Sequence, residues 1–381
     1  MWLQWKPGDK EPASWKDHYR KNPCVPVDFK TIQSAVDAFP AEESFHIWVR
    51  PGRYYLQKPL VVNRSSQSRL SMSTMKMPQN TFQAPVSLLD SSPEQSGSQG
   101  SKKKKRRGQK FLKFIRCTSA FYNDAAVDDE SMCSEMSDLD SSSPLFSIPQ
   151  RPLRATLVYR TRKQNEPAVC VQQGIFSMKH LNVEHSSHGT DIWNGNAAIH
   201  VQPPALDTQD ASALLARRTR LPNASFSGLR VTSASGRGLV CVDGGRMSVE
   251  QCRVFDCAAT GIYVGGRGSR ARITETDVLR NGLGSRISSR RHTGIARGHS
   301  GFYLEQGVVE MINCNISNNT LSGITAIATE NSTLNLHESD LVGNGSFQLE
   351  IPSRDSRSIN MSQNRLESQG TGRIRAALPP R

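Results

Sequence analysis

The sequence predicts an all-β solenoid, a parallel β-helix whose coils each hold three short strands, and three observations lead there. First, the pattern apolar-x-apolar-x-x-(Leu/Cys/Thr/Ser/Asn)-x-(Val/Ile/Leu) occurs seven times between Phe176 and Leu366. Its step is about 23 to 25 residues, longer only where extra residues intervene. Second, each copy alternates as a strand does, and the two-residue gap inside it breaks the alternation as a bend would. Third, another short apolar run follows each copy, and Gly238, Gly261, Gly301 and Gly323 each open one of these runs. A repeat of this period marks a stack in which every unit packs only on its neighbours.

From the N-terminus, the stretch 29–39 spaces Ile32, Ala35, Val36 and Phe39 on one helical face. A helix there suits a cap over the open end of the stack, which a solenoid needs for solubility. Ile47-Trp48-Val49, Pro51-Gly52 and Tyr54-Tyr55 then read strand, turn, strand. Residues 63–152 interrupt the core. They carry the basic run Lys102-Lys103-Lys104-Lys105-Arg106-Arg107 and an acidic, serine-rich stretch over 124–143. Such composition buries too little apolar surface to offset ordering entropy, so most of the insertion is expected to be disordered. One apolar island inside it, Phe111 to Arg116, has the character of a strand.

The chain rejoins the stack at Ala155–Tyr159, and 153–370 forms the repeats proper. The segment 1–22 is an N-terminal extension, 23–62 the cap and first coil, and 371–381 a tail. The copies begin at Phe176, Ala224, Met247, Ala271, Val309, Leu334 and Ile359. The third strands centre on Cys170, His200, Val240, Tyr263, Tyr303 and Thr325. Smaller insertions near 203–222 and 283–299 account for the long steps. A leucine-rich repeat is rejected, because the core positions drift among Val, Ile, Met, Cys and Thr and no helical period follows.

Two polar columns belong to the same lattice. Cys252, Thr276, Cys314, Ser339 and Asn364 recur at an inward position, where small side chains can bond along the axis. Cys257, Asn281, Asn319, Asn344 and Gln369 recur at a bend, where asparagine tolerates left-handed backbone and bonds nearby peptide groups. Glycine at the third-strand corner serves either a positive φ or a close backbone approach.

The net charge is +14 over 381 residues, and Arg280, Arg286, Arg290, Arg291 and Arg297 crowd the last insertion. A basic loop of this kind reads as solvated surface. No nucleic-acid module or aromatic-interleaved platform accompanies it. The Lys102–Arg107 run matches a nuclear-import type of signal. Eight cysteines are scattered without paired or zinc-like spacing, so reduced buried thiols are expected and no metal or other cofactor. The sequence shows neither the apolar run of a signal peptide nor a stretch able to span a membrane. A cytoplasmic or nuclear, non-secreted protein is therefore expected.

Thr31-Ile32-Gln33-Ser34-Ala35-Val36-Asp37-Ala38 followed by Ile47-x-Val49-x-Pro51-Gly52-x-Tyr54 resembles the entry to right-handed parallel β-helix domains of the pectin-lyase-like superfamily. The resemblance covers about 29–62 and 155–370, and it implies the right-handed form of the fold. Within that superfamily the chain looks most like the β-helix of F-box proteins, substrate receptors of ubiquitin ligases. Ser14-Trp15-Lys16-Asp17-His18-Tyr19 is similar to the tail that closes many F-boxes, while the Leu-Pro-x-x-Leu helices before it are absent. A ligase adaptor is thus a partner only if an F-box lies upstream.

Polysaccharide-cleaving members need clustered carboxylates, or an Asp with Arg or Lys, on one outward face. Asp277 and Asp340 share a column with Arg230, Arg253, Asn315 and Arg365, which reads as surface ion pairing, so no catalytic residue is assigned. His200, Tyr263 and Tyr303 face outward beside Cys170, and with Arg286, Arg290 and Arg291 they are the interaction-surface candidates. The functional expectation is a non-catalytic scaffold for protein partners, with a carbohydrate-active enzyme or polysaccharide binder as the alternative.

Overall fold

A computed structural model describes residues 22–75, 154–188, 196–204, 221–284, 300–327, 331–351, 358–367 and 374–376. The chain divides into two units, residues 1–77 with 152–381, and residues 78–151; the described residues all belong to the first. In it the chain winds through three parallel sheets of ten, nine and nine strands, here A, B and C. Nine rungs result. The first runs from Phe45–Val49 in sheet A through Gly52–Leu56 in sheet B to Leu60–Asn63 in sheet C. The fifth repeats this with Arg246–Glu250, Arg253–Phe255 and Ile262–Gly265. The chain is an all-β parallel β-helix solenoid, as the repeat period predicts.

Register explains why the pattern needs its alternation. Met247 pairs with Ala224 and Ala271, and Val249 with Phe226 and Ile273, so equivalent residues stand directly above one another. Residues whose side chains point inward stack into continuous columns, of which Val254, Val278, Ile316 and Leu341 form one, fully buried. The N-terminal helix spans Ile32–Asp37, capped by Thr31, whose hydroxyl accepts from the Ser34 N–H in a reciprocal capping box. Its buried face is Ile32, Ala35 and Val36. Phe39 lies beyond the helix end and stacks on Phe45 with centroids 4.1 Å apart.

The core continues past the boundary expected at residue 63. Arg69–Thr74 is the second strand of sheet A, paired to Phe45–Val49, with Leu70 and Met72 fully buried. Its serine-rich sequence hides the strand, because only alternate residues need be apolar when one face is wet. Just before it, Arg64 is buried and its guanidinium donates to the Glu43 carbonyl at 2.8 Å and to the Pro40 carbonyl, lying over the Phe45 ring. A cation thus satisfies the carbonyls at the end of the capping segment. The Phe111–Arg116 island and the rest of 78–151 lie outside the described residues.

Both polar columns exist, and the bends that carry them follow one rule. At the A-to-B bend a left-handed residue (Gln251, Glu275, Asn313, Glu338 or Gln363, φ 48° to 55°) precedes the column member. The member's side chain then accepts from the previous rung's backbone. Cys252 N–H donates to Thr276 Oγ1 at 3.3 Å, Cys314 N–H to Ser339 Oγ at 3.1 Å, and Ser339 N–H to Asn364 Oδ1 at 2.9 Å. At the B-to-C bend Arg280 and Asn318 are left-handed, and the asparagines after them make the ladder. Asn281 Nδ2 donates to Asn319 Oδ1 at 3.0 Å, and Asn319 Nδ2 to Asn344 Oδ1 at 2.9 Å. The asparagines supply the hydrogen bonds, while the left-handed backbone belongs to the residue before each of them. Gln369 lies outside the described residues.

The glycine corners are decided by contact. At Gly301 a Cβ would stand 2.4 Å from Asn319 Nδ2 and 2.9 Å from the Gly323 carbonyl, and Gly261 meets Asn281 in the same way. Neither has a positive φ. Glycine is required there because the asparagine ladder passes across the backbone.

Candidate functional site

The three outer faces differ. On sheet B, Arg230, Arg253, Asp277, Asn315, Asp340 and Arg365 form one column by register. Arg253 bonds Asp277 at 2.9 Å and Arg365 bonds Asp340 at 3.0 Å, the surface pairing expected of them. On sheet A a column of hydroxyls, Ser71, Ser177, Ser225 and Ser248, starts at His46, whose ring nitrogens bond Ser71 Oγ at 2.7 Å and Ser73 Oγ at 2.9 Å.

Sheet C carries the concentrated chemistry. Cys170, His200, Val240, Tyr263, Tyr303, Thr325 and Glu350 stand in one column from the second rung to the eighth. The sequence candidates His200, Tyr263 and Tyr303 are therefore brought together. Two of them are not solvent-facing, however: His200 is 9% and Tyr263 6% exposed, while Tyr303 is half-buried. With Ala197, Val240 and Val242 the tyrosines form a second apolar cluster outside the main core. Arg286, Arg290, Arg291 and the run Lys102–Arg107 lie outside the described residues, as do Ser14 to Tyr19.

The Tyr263 ring is held from both sides. The Arg237 guanidinium lies 4.4 Å from its centroid, and the Tyr303 ring stacks at 5.7 Å and 14°. Its hydroxyl donates to Glu305. Burial, reinforced by that carboxylate, raises the Tyr263 pKa, so the phenol stays protonated and a donor. Burial lowers the Arg237 pKa, with Tyr263 and Glu305 opposing the shift. His200 is pushed down to about 4, by burial first and then by Arg237, with Asp243 acting in the other direction. It is a neutral imidazole at physiological pH. Toward the C-terminal rungs Ser300 and Thr325 share a hydrogen bond of 2.6 Å, and Ser322 donates to Glu350 at 2.8 Å. Toward the A-side bend Gln202 Nε2 donates to Asp243 at 2.8 Å.

Sequence reading missed Arg237, Asp243, Glu305 and Glu350. Arg237 immediately precedes the Gly238 corner and Glu305 immediately follows a third strand, so aligning residues that flank those strands would have found both. The described cysteines are free thiols. Burial raises Cys241 and Cys257 to about 12 and Cys252 and Cys314 to about 11, so these are unreactive packing groups. Among the described residues no group of three or more His, Cys, Asp or Glu is placed to hold a metal ion. No described helix is long and apolar enough to cross a membrane.

Residues 208–369 match the family model described as "Right handed beta helix region". No curated protein matches the chain. Among solved structures, a pectate lyase, Pel9A, is similar at 11% identity and a TM-score of 0.40, over 90% of this chain and 74% of that one. ORF18 of Geobacillus virus E2 is similar at 9% identity and a TM-score of 0.38, over 95% of this chain and 60% of that one. The family match places this region with right-handed parallel β-helices.

Proposed function

We propose that the protein binds an extended carbohydrate chain along the outer face of sheet C. The observation that supports this most is the single column with Tyr303, Thr325 and Glu350 over three successive rungs, next to Glu305. A lattice repeating every rung, about 4.8 Å, presents hydroxyl, carboxylate and aromatic groups in one direction, as a polymer of polar rings requires. Arg237, His200 and Tyr263 are the buried floor. Tyr303, Glu305, Glu350 and Gln202 are the half-buried groups that solvent reaches, and Asp243 beside Gln202 is exposed. The role is binding rather than cleavage, because Glu305 and Glu350 each already hold a hydroxyl of the protein itself.

Affinity electrophoresis of the purified chain through gels containing a panel of neutral and acidic polysaccharides tests this. Retardation by at least one polymer, lost in Tyr303→Ala, is the expected result; unchanged mobility in every gel removes the reading. A second reading, recruitment of protein partners as a ubiquitin-ligase substrate receptor, is favoured by the first rung. There Trp48, Tyr55 and Val61 are exposed at 37%, 62% and 38%. Capture of a ligase adaptor, lost on Trp15→Ala, is its test.

A further inference from the structure

Five outward arginines of this solenoid pair with carboxylates one or two rungs away. Arg53 pairs with Glu184, Arg253 with Asp277, Arg272 with Glu310, Arg280 with Asp256 and Arg365 with Asp340. Arg230 stands opposite Arg253, but it lies over the Phe255 ring while Arg253 is neutralised by Asp277.

One place sets two such arginines directly opposite each other with no carboxylate among the described residues paired to either. Arg246 and Arg270 open adjacent strands of sheet A as direct register partners, and both are exposed. Arg267, also exposed, stands in the bend leading to Arg270, with its carbonyl 3.9 Å from where a Cβ on Gly244 would lie. Among the described residues no carboxylate forms an ion pair with any of the three. Asp243, in the bend before Arg246, accepts from Gln202. Like charges directly opposite on neighbouring strands destabilise a sheet. A bound anion removes that repulsion, and guanidinium forks match the oxygens of a tetrahedral oxyanion in bidentate fashion.

We propose that Arg246, Arg267 and Arg270 form a binding site for a tetrahedral oxyanion, a phosphate or sulfate group carried by a ligand. The site lies where the chain enters sheet A in the fifth and sixth rungs, apart from the sheet C column proposed to bind carbohydrate. The net charge of +14 steers anions toward the molecule as a whole, so the discriminating control is an arginine that already has a partner.

Titration calorimetry of the full chain with methyl phosphate and, separately, with inorganic sulfate tests the site. Saturable binding is expected, weakened at least tenfold by Arg246→Gln with Arg270→Gln and unchanged by Arg253→Gln. A phosphate monoester takes up its second proton near pH 6. Binding of methyl phosphate should therefore fade between about pH 7.5 and about pH 5 while binding of sulfate holds; tighter binding of methyl phosphate than of sulfate at about pH 7.5 assigns a phosphate ligand, and the reverse order assigns a sulfate ester. Without anion, Arg246→Gln should raise the melting temperature, since it removes a like-charge opposition. No saturation with either anion, an equal loss in Arg253→Gln, or a lowered melting temperature in Arg246→Gln overturns the proposal.

Discussion

Asn319 shows how much one side chain carries in a stacked fold. Its Oδ1 accepts from the Asn281 N–H at 2.9 Å, and its Nδ2 donates to the Val278 carbonyl at 3.1 Å and to Asn344. It is 1% exposed. Asn319→Ala strands several buried polar groups at once, and a loss of about 2–4 kcal/mol is expected from the cost of unsatisfied partners, read as a shift in urea midpoint. A change below half a kilocalorie would mean that water enters the bend. Ile316→Asp places an unpaired carboxylate in the fully buried Val254–Leu341 column, and several kcal/mol should be lost. A variant melting close to wild type would show the column to be open to solvent. Asp277 and Asp340 behave differently: they are half-buried and paired on the surface, so changing both to Asn should cost under about 1 kcal/mol each. A larger loss in urea denaturation would reveal a role beyond pairing.

Histidines add a pH dependence. Burial holds both His185 and His200 at about 4, against roughly 6.5 for the free side chain. The unfolded chain takes up protons first as pH falls. Stability is therefore fully present above about pH 6.5 and declines as pH drops toward 4, by at most roughly 3 kcal/mol per histidine. His185 bonds Ser233 Oγ and the Glu166 carbonyl, both at 2.8 Å, so its neutral form is fully satisfied. Urea midpoints measured between those pH values should fall. The slope should flatten when both histidines are replaced by Gln, and an unchanged slope would assign the acid lability to other groups.

At the scale of elements, the second rung decides how the long insertion can be handled. The Ala155 N–H donates to Thr74 Oγ1 at 3.1 Å, so the two sides of the insertion meet at one A-to-B bend. Replacing 78–151 by a short Gly/Ser linker should leave the melting temperature within a few degrees, since loop-closure entropy varies slowly with length. A deletion starting at residue 66 removes Arg69–Thr74 from between Phe45–Val49 and Ile175–Lys179 and should not yield soluble protein. The same local rule governs the bends that carry the two polar columns: one left-handed residue, then one side chain that caps the rung before. The Cys/Thr/Ser/Asn column and the asparagine column were legible because a spacing of about 25 residues aligns them. Most left-handed positions were not, because Gln, Glu, Arg and Asp carry no backbone signature; Asn313, Asn318 and Gly343 are the ones whose residue type suits that conformation.

For the whole molecule, alternation, bend spacing and repeat period are local properties. By themselves they determined that the chain winds into a stack of parallel coils, where its core columns lie, and that an amphipathic helix closes the N-terminal end. They also placed Asp277 with Arg253, and His200 with Tyr263, on common columns. Only the tertiary structure decided that Leu70 and Met72 extend the core, and that His200 and Tyr263 are floor rather than surface. It alone packed Arg237, Tyr263 and Glu305 from three successive rungs into one cluster and set Arg246 beside Arg270. The physical reason is that such contacts join residues some 24 to 42 positions apart. Their geometry depends on rung register and on how bends aim the flanking side chains, and neither leaves a periodic trace in the chain.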